Sequence, residues 1–317
     1  MPVPIFPIPQ WEQSLQLFCI ITIGAALVST GALMYFRRVR MDRPPVGTFN
    51  ARDVVILLIF IGVLPFVYGW LPDTVVTCLL AVTFGSALYI GYRPLLGSVG
   101  IWLAIGLLFG FNIWSSHHLM GTIPGWQVWY TEQSVTVALS AIAVCNLYLQ
   151  GGMKLRHVAW LSLGLAAYDV LFASYYPLTG RLLARYVTHP LTPVMGMRFG
   201  GVDYAVGLGD LLVYSLFFVA SYKAYGARAA RIAAALIVLM GGFATAFLPF
   251  LFNLKNANLD VLIPAQSLFG PFAFVTYLWM KRHYGRERTM AEYLASQGDA
   301  AAASQVERAP APEPASI

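Results

Sequence analysis

The sequence predicts an all-α integral membrane protein with nine transmembrane helices, with the N-terminus outside and the C-terminus in the cytoplasm. Three observations lead to this prediction: the composition, the spacing of apolar stretches and the positions of basic residues. Of the 317 residues, 58% are hydrophobic and 11% are charged, whereas about a quarter of a soluble domain is charged. The net charge of +6 is spread over short clusters between apolar stretches. Such clusters indicate membrane orientation rather than a face that binds nucleic acid.

Nine apolar stretches come near the ~20 residues that a helix needs to cross a bilayer. A helix satisfies its own backbone hydrogen bonds where water is absent. The first stretch is longer than a signal-peptide core and lacks its basic flank, so we expect it to stay attached. The predicted spans are 14–36, 54–70, 74–92, 98–114, 134–149, 159–176, 204–222, 233–252 and 261–280.

The basic residues predict how these spans are oriented, because Lys and Arg of short loops stay in the cytoplasm. The segment 1–13 has neither, and the segment after the first span has five arginines. With alternate loops and the C-terminal segment inside, all but four of the 20 basic residues are cytoplasmic. The exceptions are Arg181, Arg185, Arg198 and Lys255. An odd number of spans preserves this asymmetry.

The prediction is thus one membrane domain, residues 1–285, followed by a cytoplasmic and largely disordered tail, 286–317. The tail is rich in alanine, glutamate and proline and has no sustained apolar face, which predicts a short helix and then disorder. The three cysteines, Cys19, Cys78 and Cys145, lie in apolar stretches without metal-ligand spacing. We therefore expect no metal site, cofactor or disulfide.

Two carboxylates lie deep within predicted spans: Asp169 in the sixth and Asp210 in the seventh. A carboxylate at the centre of a spanning helix costs at least ~2.5 kcal/mol, so its presence indicates a function. His157 precedes Asp169 by twelve residues, and Lys223 follows Asp210 by thirteen. Both carboxyls are therefore at about the same depth on consecutive antiparallel helices. Two close carboxyls divide their protons unequally, which provides an acid and a base for hydrolysing a peptide bond.

The residues beside these aspartates support a catalytic interpretation. Tyr168 precedes Asp169 and can donate a hydrogen bond, and Gly207-Leu208-Gly209 precedes Asp210. Glycines permit close approach of another backbone and weaken a regular helix. Near the ninth span, Pro264-Ala265-Gln266 predicts irregular backbone with which a peptide strand could pair.

These motifs, in this order and in these spans, resemble those of the presenilin and signal peptide peptidase family of intramembrane aspartyl proteases. The resemblance is strongest in the C-terminal half and does not include the first four spans. It implies that Asp169 and Asp210 are catalytic, that Tyr168, Gly207, Leu208 and Gly209 support them, and that Pro264, Ala265 and Gln266 bind substrate. Spans 159–280 would then be catalytic and spans 14–149 a scaffold. Gln266 departs from the family, which has leucine there.

The N-terminus predicted outside favours the signal-peptide-peptidase-like branch, because presenilins are inverted. That branch implies transmembrane peptide substrates whose N-terminus is cytoplasmic, such as signal peptides or type II anchors. It implies activity without obligate partner subunits, and we expect a prokaryotic cytoplasmic membrane as the location. The loop 177–203 is expected either to assist substrate binding or simply to connect two spans.

Other classes of protein stay open on the sequence alone. The two aspartates could be a purely structural hydrogen-bonded pair. A prepilin-type aspartyl peptidase also has a Gly-x-Gly-Asp motif, but its aspartates act near the cytoplasmic surface and it lacks the Pro-Ala element. A proton- or cation-coupled transporter could use paired aspartates as an ion site. A non-catalytic chaperone for membrane helices would tolerate loss of either carboxylate.

Overall fold

The structure is a computed structural model that describes residues 11–41, 49–175, 178–186, 189–199, 202–255 and 264–297. It is mostly helical and contains one β-hairpin, formed by strands β1 (Val194–Phe199) and β2 (Val202–Gly207). π-Helical turns follow α5 and join α8 to α9, at Val170–Tyr175 and Ile237–Ala244. The main helices are α1 (Trp11–Arg38), α2 (Ala51–Trp70), α3 (Asp73–His118), α4 (Ile123–Gln150), α5 (Leu155–Asp169), α6 (Leu178–Tyr186), α7 (Leu208–Tyr225), α8 (Ala227–Leu236), α9 (Thr245–Lys255) and α10 (Ala265–Tyr284).

Five helical stretches in the described chain are long and apolar enough to cross a bilayer. They are α1, α2, α3, α4 and the continuous run Ala227–Phe252. Large apolar side chains on their outer faces are exposed, among them Ile59, Val82 and Leu107. Exposing so large an apolar surface to water is unfavourable, whereas lipid tails can solvate it. The protein is therefore embedded in a membrane.

Helix α3 is a helical hairpin rather than one straight rod. It spans 46 residues, and Gly97 inside it has a non-helical backbone with φ 68° and ψ 176°. The rings of Tyr89 and Trp102 are 5.2 Å apart, and Phe109 lies against Gly85. These pairs flank Gly97 nearly symmetrically, so the two halves of α3 fold back on each other. The turn separates the predicted spans 74–92 and 98–114.

The mostly helical structure is consistent with the predicted all-α class, but the expected helix over 204–222 begins only at Leu208. Residues 204–207 belong to β2, whose register with β1 pairs Phe199 with Val202 and Val194 with Gly207. In β2, the side chains of Tyr204 and Val206 are buried and their neighbours are more exposed. This alternation has the period of a strand, and the hydropathy that predicted the span does not depend on period. The loop 177–203 likewise contains α6 and β1.

Helix α7 is the central element of the helical core. Most of its side chains from Leu211 to Ala224 are buried, and it packs against α1, α4, α5 and α8. Helices α5 and α10 form the most extensive helix pair. There a methyl group added at Gly270 would lie 2.8 Å from Ala166 Cβ, and closer still to the carbonyl oxygen of Ser162.

The C-terminal segment confirms the predicted short helix, at residues 290–297. Tyr293 in this helix is 2% exposed, and its ring centroid is 5.1 Å from that of Phe36. This helix is therefore packed onto the C-terminal end of α1. The tail beyond residue 297, for which we predicted disorder, lies outside the described residues, as do residues 261–263 of the predicted ninth span.

Candidate active site

Three helix ends meet at the candidate site. Asp169 is the last residue of α5, immediately before the π-helical turn. Asp210 lies in the first turn of α7, and Gln266 lies in the first turn of α10. The structure thus brings together two predicted catalytic residues and one residue predicted to bind substrate.

Gln266 donates a hydrogen bond to each aspartate. Its backbone N–H donates to Asp169 Oδ2 at 3.1 Å, and its side-chain Nε2 donates to Asp210 Oδ1 at 2.9 Å. The aspartates are close enough for the charge on Asp210 to act on Asp169. Both carboxylates are half-buried, whereas Gln266 is 3% exposed. One buried residue, Gln266, therefore donates to both carboxylates, with its backbone amide to Asp169 and its side-chain amide to Asp210.

The start of α10 explains part of this geometry. Pro264 is the N-cap residue, with the extended angles φ −66° and ψ 139°, and the helix begins at Ala265. The N–H groups of a first helical turn have no partner within the helix, and the helix dipole favours a negative charge there. Asp169 accepts one of these N–H groups. Within the motif Pro264-Ala265-Gln266, only Pro264 has the non-helical backbone that we expected. The backbone N–H of Gln266 donates a hydrogen bond to Asp169.

The Gly-Leu-Gly segment is where strand changes to helix before Asp210. Gly207 ends β2 and is the N-cap of α7, and the N–H of Leu208 donates to the carbonyl of Pro193 at 2.8 Å. A Cβ added at Gly209 would meet no atom within 4 Å, whereas one at Gly207 would lie 3.5 Å from Asp210 Oδ2. Among the described residues, the space at Gly209 is therefore open, whereas that at Gly207 is bounded by Asp210.

Tyr168 packs beside the site, with its ring centroid 4.6 Å from that of Phe172. Sequence reasoning missed Tyr214, which is completely buried, one helical turn after Asp210. The ring of Tyr214 lies 4.7 Å from that of Phe269 and close to Gly241. The spacing of four residues from Asp210 places both side chains on one helix face, which was the available signal.

A polar cluster fixes the hairpin that precedes Asp210. Asn112 of α3 donates to Gln133 Oε1 of α4 at 2.7 Å and accepts the N–H of Leu191 at 2.8 Å. Gln133 Nε2 in turn donates to the carbonyl of Thr192. The base of the hairpin is thereby held by α3 and α4. The amide side chains of Asn112 and Gln133 are polar groups within apolar helices. Their presence there was a signal in the sequence that the motifs did not include.

An apolar groove runs along α2 and α5 toward the site. Its volume is about 450 Å³. It extends from Ala51 and His157 to Ala167, two residues before Asp169. The groove is lined also by Val54, Leu58, Trp160, Leu163 and Gly164. The groove is long enough for an apolar segment to lie along α2 and α5.

No three His, Cys, Asp or Glu side chains are grouped around a possible metal ion in the described part of the chain. No family model matches the chain, and no curated protein matches its sequence. Two nearby carboxyls can supply a general acid and a general base, because the charge on one favours protonation of the other. That chemistry is what the described groups offer.

Proposed function

We propose that this chain is an intramembrane aspartyl endopeptidase of the presenilin and signal peptide peptidase type. The observation that carries the proposal is the convergence of Asp169 and Asp210, from separate helices, on the single residue Gln266. A structural pair needs only mutual hydrogen bonds. Here each aspartate instead accepts a hydrogen bond from Gln266, and both carboxylates are only half-buried.

The reaction is hydrolysis of a peptide bond by the two carboxyl groups and water. The ionised aspartate takes a proton from water as the water oxygen attacks the scissile carbonyl carbon. The protonated aspartate donates a hydrogen bond to the carbonyl oxygen, and a proton then passes to the leaving amine as the C–N bond breaks. The pair titrates as one unit, so neither aspartate is assigned a fixed role.

The membrane topology proposed for this enzyme has nine spans, with the N-terminus outside and the C-terminus in the cytoplasm. Helical structure lies in every predicted span, with α3 supplying two antiparallel passages. α5 with its π-helical turn supplies the sixth span, α7 the seventh and α10 the ninth. Residues 159–280 are the catalytic part and residues 14–149 the scaffold.

The proposed substrates are transmembrane helices with a cytoplasmic N-terminus, such as signal peptides and type II anchors. The apolar groove between α2 and α5 offers an apolar helical segment a place to pack against the catalytic part. A substrate must unwind locally, because a helix engages its carbonyls in internal hydrogen bonds. In the described chain β2 pairs only with β1, so its other edge offers backbone groups to an unwound segment close to Asp210.

The enzyme is proposed to act without partner subunits in a prokaryotic cytoplasmic membrane. The test is cleavage of a tagged type II transmembrane peptide by the purified chain in detergent. The variants Asp169→Asn and Asp210→Asn should each lose on the order of 10³-fold in cleavage rate, because each removes a general acid or base. Glu12→Gln, at an exposed position in the first turn of α1, is the control and should keep full activity.

The outcomes separate the competing classes. Equal cleavage by the native chain and both Asn variants would contradict the aspartyl mechanism. Absence of cleavage by the folded native chain across several peptides and lipids would favour a transporter or a chaperone. Cleavage inside the apolar segment that depends on both aspartates would support the proposal.

A further inference from the structure

Gln266 has a chemical feature that hydrolysis by two carboxyls does not use. Its side-chain oxygen, Oε1, is buried and has no hydrogen-bond partner among the described residues. A buried polar atom without a partner costs free energy. Ten such side-chain atoms occur among the described residues, and Gln266 Oε1 is the one on the residue that donates to both aspartates. This acceptor therefore calls for a donor from outside the described chain.

The orientation of the Gln266 amide is fixed by its neighbour. The NH₂ group donates to Asp210 Oδ1 at 2.9 Å, and Oδ1 accepts this bond whether or not the other oxygen of Asp210 carries a proton. The carbonyl oxygen consequently faces away from that carboxylate oxygen. The backbone N–H of Gln266 donates to Asp169 and its side-chain NH₂ donates to Asp210. Its side-chain oxygen is then the group beside the aspartate pair that still lacks a hydrogen-bond donor.

We propose that Gln266 Oε1 accepts a hydrogen bond from a backbone N–H of the substrate, within two residues of the scissile bond. This inference rests on the proposed protease function. Local unwinding frees the substrate's backbone N–H groups in a region without water, where each needs an acceptor. Gln266 provides one at the site of cleavage, and a leucine side chain has no acceptor.

Gln266 is thus a specificity-determining residue that rejects substrates lacking that N–H. Proline has no N–H, and an ester bond in place of an amide removes the N–H with little change in shape. A site that hydrogen-bonds a substrate group discriminates against the analogue that lacks it, because the buried partner is left unpaired. The enzyme should therefore exclude proline at one position beside the scissile bond.

The experiment is an ester scan of a cleavable transmembrane peptide, with one amide at a time replaced by an ester around the cut. For the native chain we expect kcat/KM to fall about tenfold at one position, from the unpaired acceptor. The same replacement should change kcat/KM less than twofold in Gln266→Leu and Gln266→Met. Each enzyme is compared with its own all-amide rate, which removes any general effect of losing the Nε2 donor to Asp210.

Ser267→Ala is the matched control in the same helical turn. Its hydroxyl donates to the carbonyl of Pro264 at 2.6 Å and has no contact with either aspartate in the described structure, so the native ester pattern should persist. An identical ester effect in native, Leu and Met enzymes would overturn the assignment of Gln266. Failure of the protease proposal would look different, since the all-amide peptide would then be uncleaved or cleaved equally by Asp169→Asn.

Discussion

Asp169 and Asp210 receive their hydrogen bonds from different kinds of donor. The donor to Asp169 is a backbone N–H, which survives any substitution of Gln266 except proline. The donor to Asp210 is a side chain, which a substitution removes. The two carboxylates therefore respond unequally to changes at Gln266, and variants at this position act on Asp210 more than on Asp169.

Another carboxylate with a defined structural role is that of Glu292, in the C-terminal segment. It accepts the N–H of Thr289 at 2.8 Å, while Thr289 Oγ1 accepts the N–H of Glu292 at 3.3 Å. This reciprocal pair is a capping box that starts the helix at 290–297. The backbone hydrogen bond from Thr289, and then the charge of Arg286, hold the pKa of Glu292 below its ordinary value of 4.5.

We predict that this helix loosens in acid. A lowered folded pKa gives stability that is present above pH 4.5, the unfolded value, and is lost as pH falls through the folded pKa. Hydrogen exchange at amides 290–297, corrected for intrinsic rates, should accelerate below about pH 4.5. Glu292→Gln should show weaker protection that does not change over the same range. Protection in the native chain that is constant down to pH 3 would contradict this role.

At the scale of elements, the contact between α5 and α10 positions Gln266 against Asp169. Asp169 ends α5, and Gln266 lies in the first turn of α10, four residues before Gly270. The helices approach so closely at Gly270 that a side chain there would meet both Ala166 and the backbone of Ser162. Small residues permit such close packing of membrane helices.

We predict that Gly270→Ala separates these helices and impairs both stability and cleavage. Forcing a methyl group into a packed contact costs about 1–3 kcal/mol, and the shift would lengthen the hydrogen bond between Gln266 and Asp169. The thermal unfolding temperature in detergent and the cleavage rate should both fall. Gly62→Ala is the matched control, because a Cβ there meets nothing within 4 Å. Unchanged cleavage by Gly270→Ala would show that this contact does not control the site.

At the scale of the whole molecule, the path of the chain must place the basic clusters on the side of the membrane that the sequence predicts for them. The α3 hairpin reverses direction at Gly97, near Arg93, which the sequence assigns to the cytoplasmic side. In the proposed topology, this reversal puts His117, at the far end of α3, on the outer side. The same topology puts the C-terminal segment, with Arg286, inside after nine passages.

We predict that these two positions react from opposite sides of the membrane. Cys19, Cys78 and Cys145 are first replaced by alanine, and His117→Cys or Arg286→Cys is then introduced. A membrane-impermeant maleimide should label the first variant in intact cells and the second only in inverted vesicles. Labelling of both from the same side would contradict an odd number of spans with the N-terminus outside.

The sequence by itself determined that the chain lies in a membrane, where the short C-terminal helix lies, and which two aspartates belong to apolar stretches. Hydropathy and the cost of buried charge are local properties, so they can be read from single stretches. Only the tertiary structure decided that residues 204–207 form a strand, that α3 is a hairpin and that Gln266 bridges the aspartates. Each depends on a second segment of the chain: β1 for the strand, the second half of α3 for the hairpin, and α10 for the bridge between the aspartates. Hydrogen bonds between such partners leave no periodic pattern in either segment, and so the meeting of α5, α7 and α10 required the folded chain.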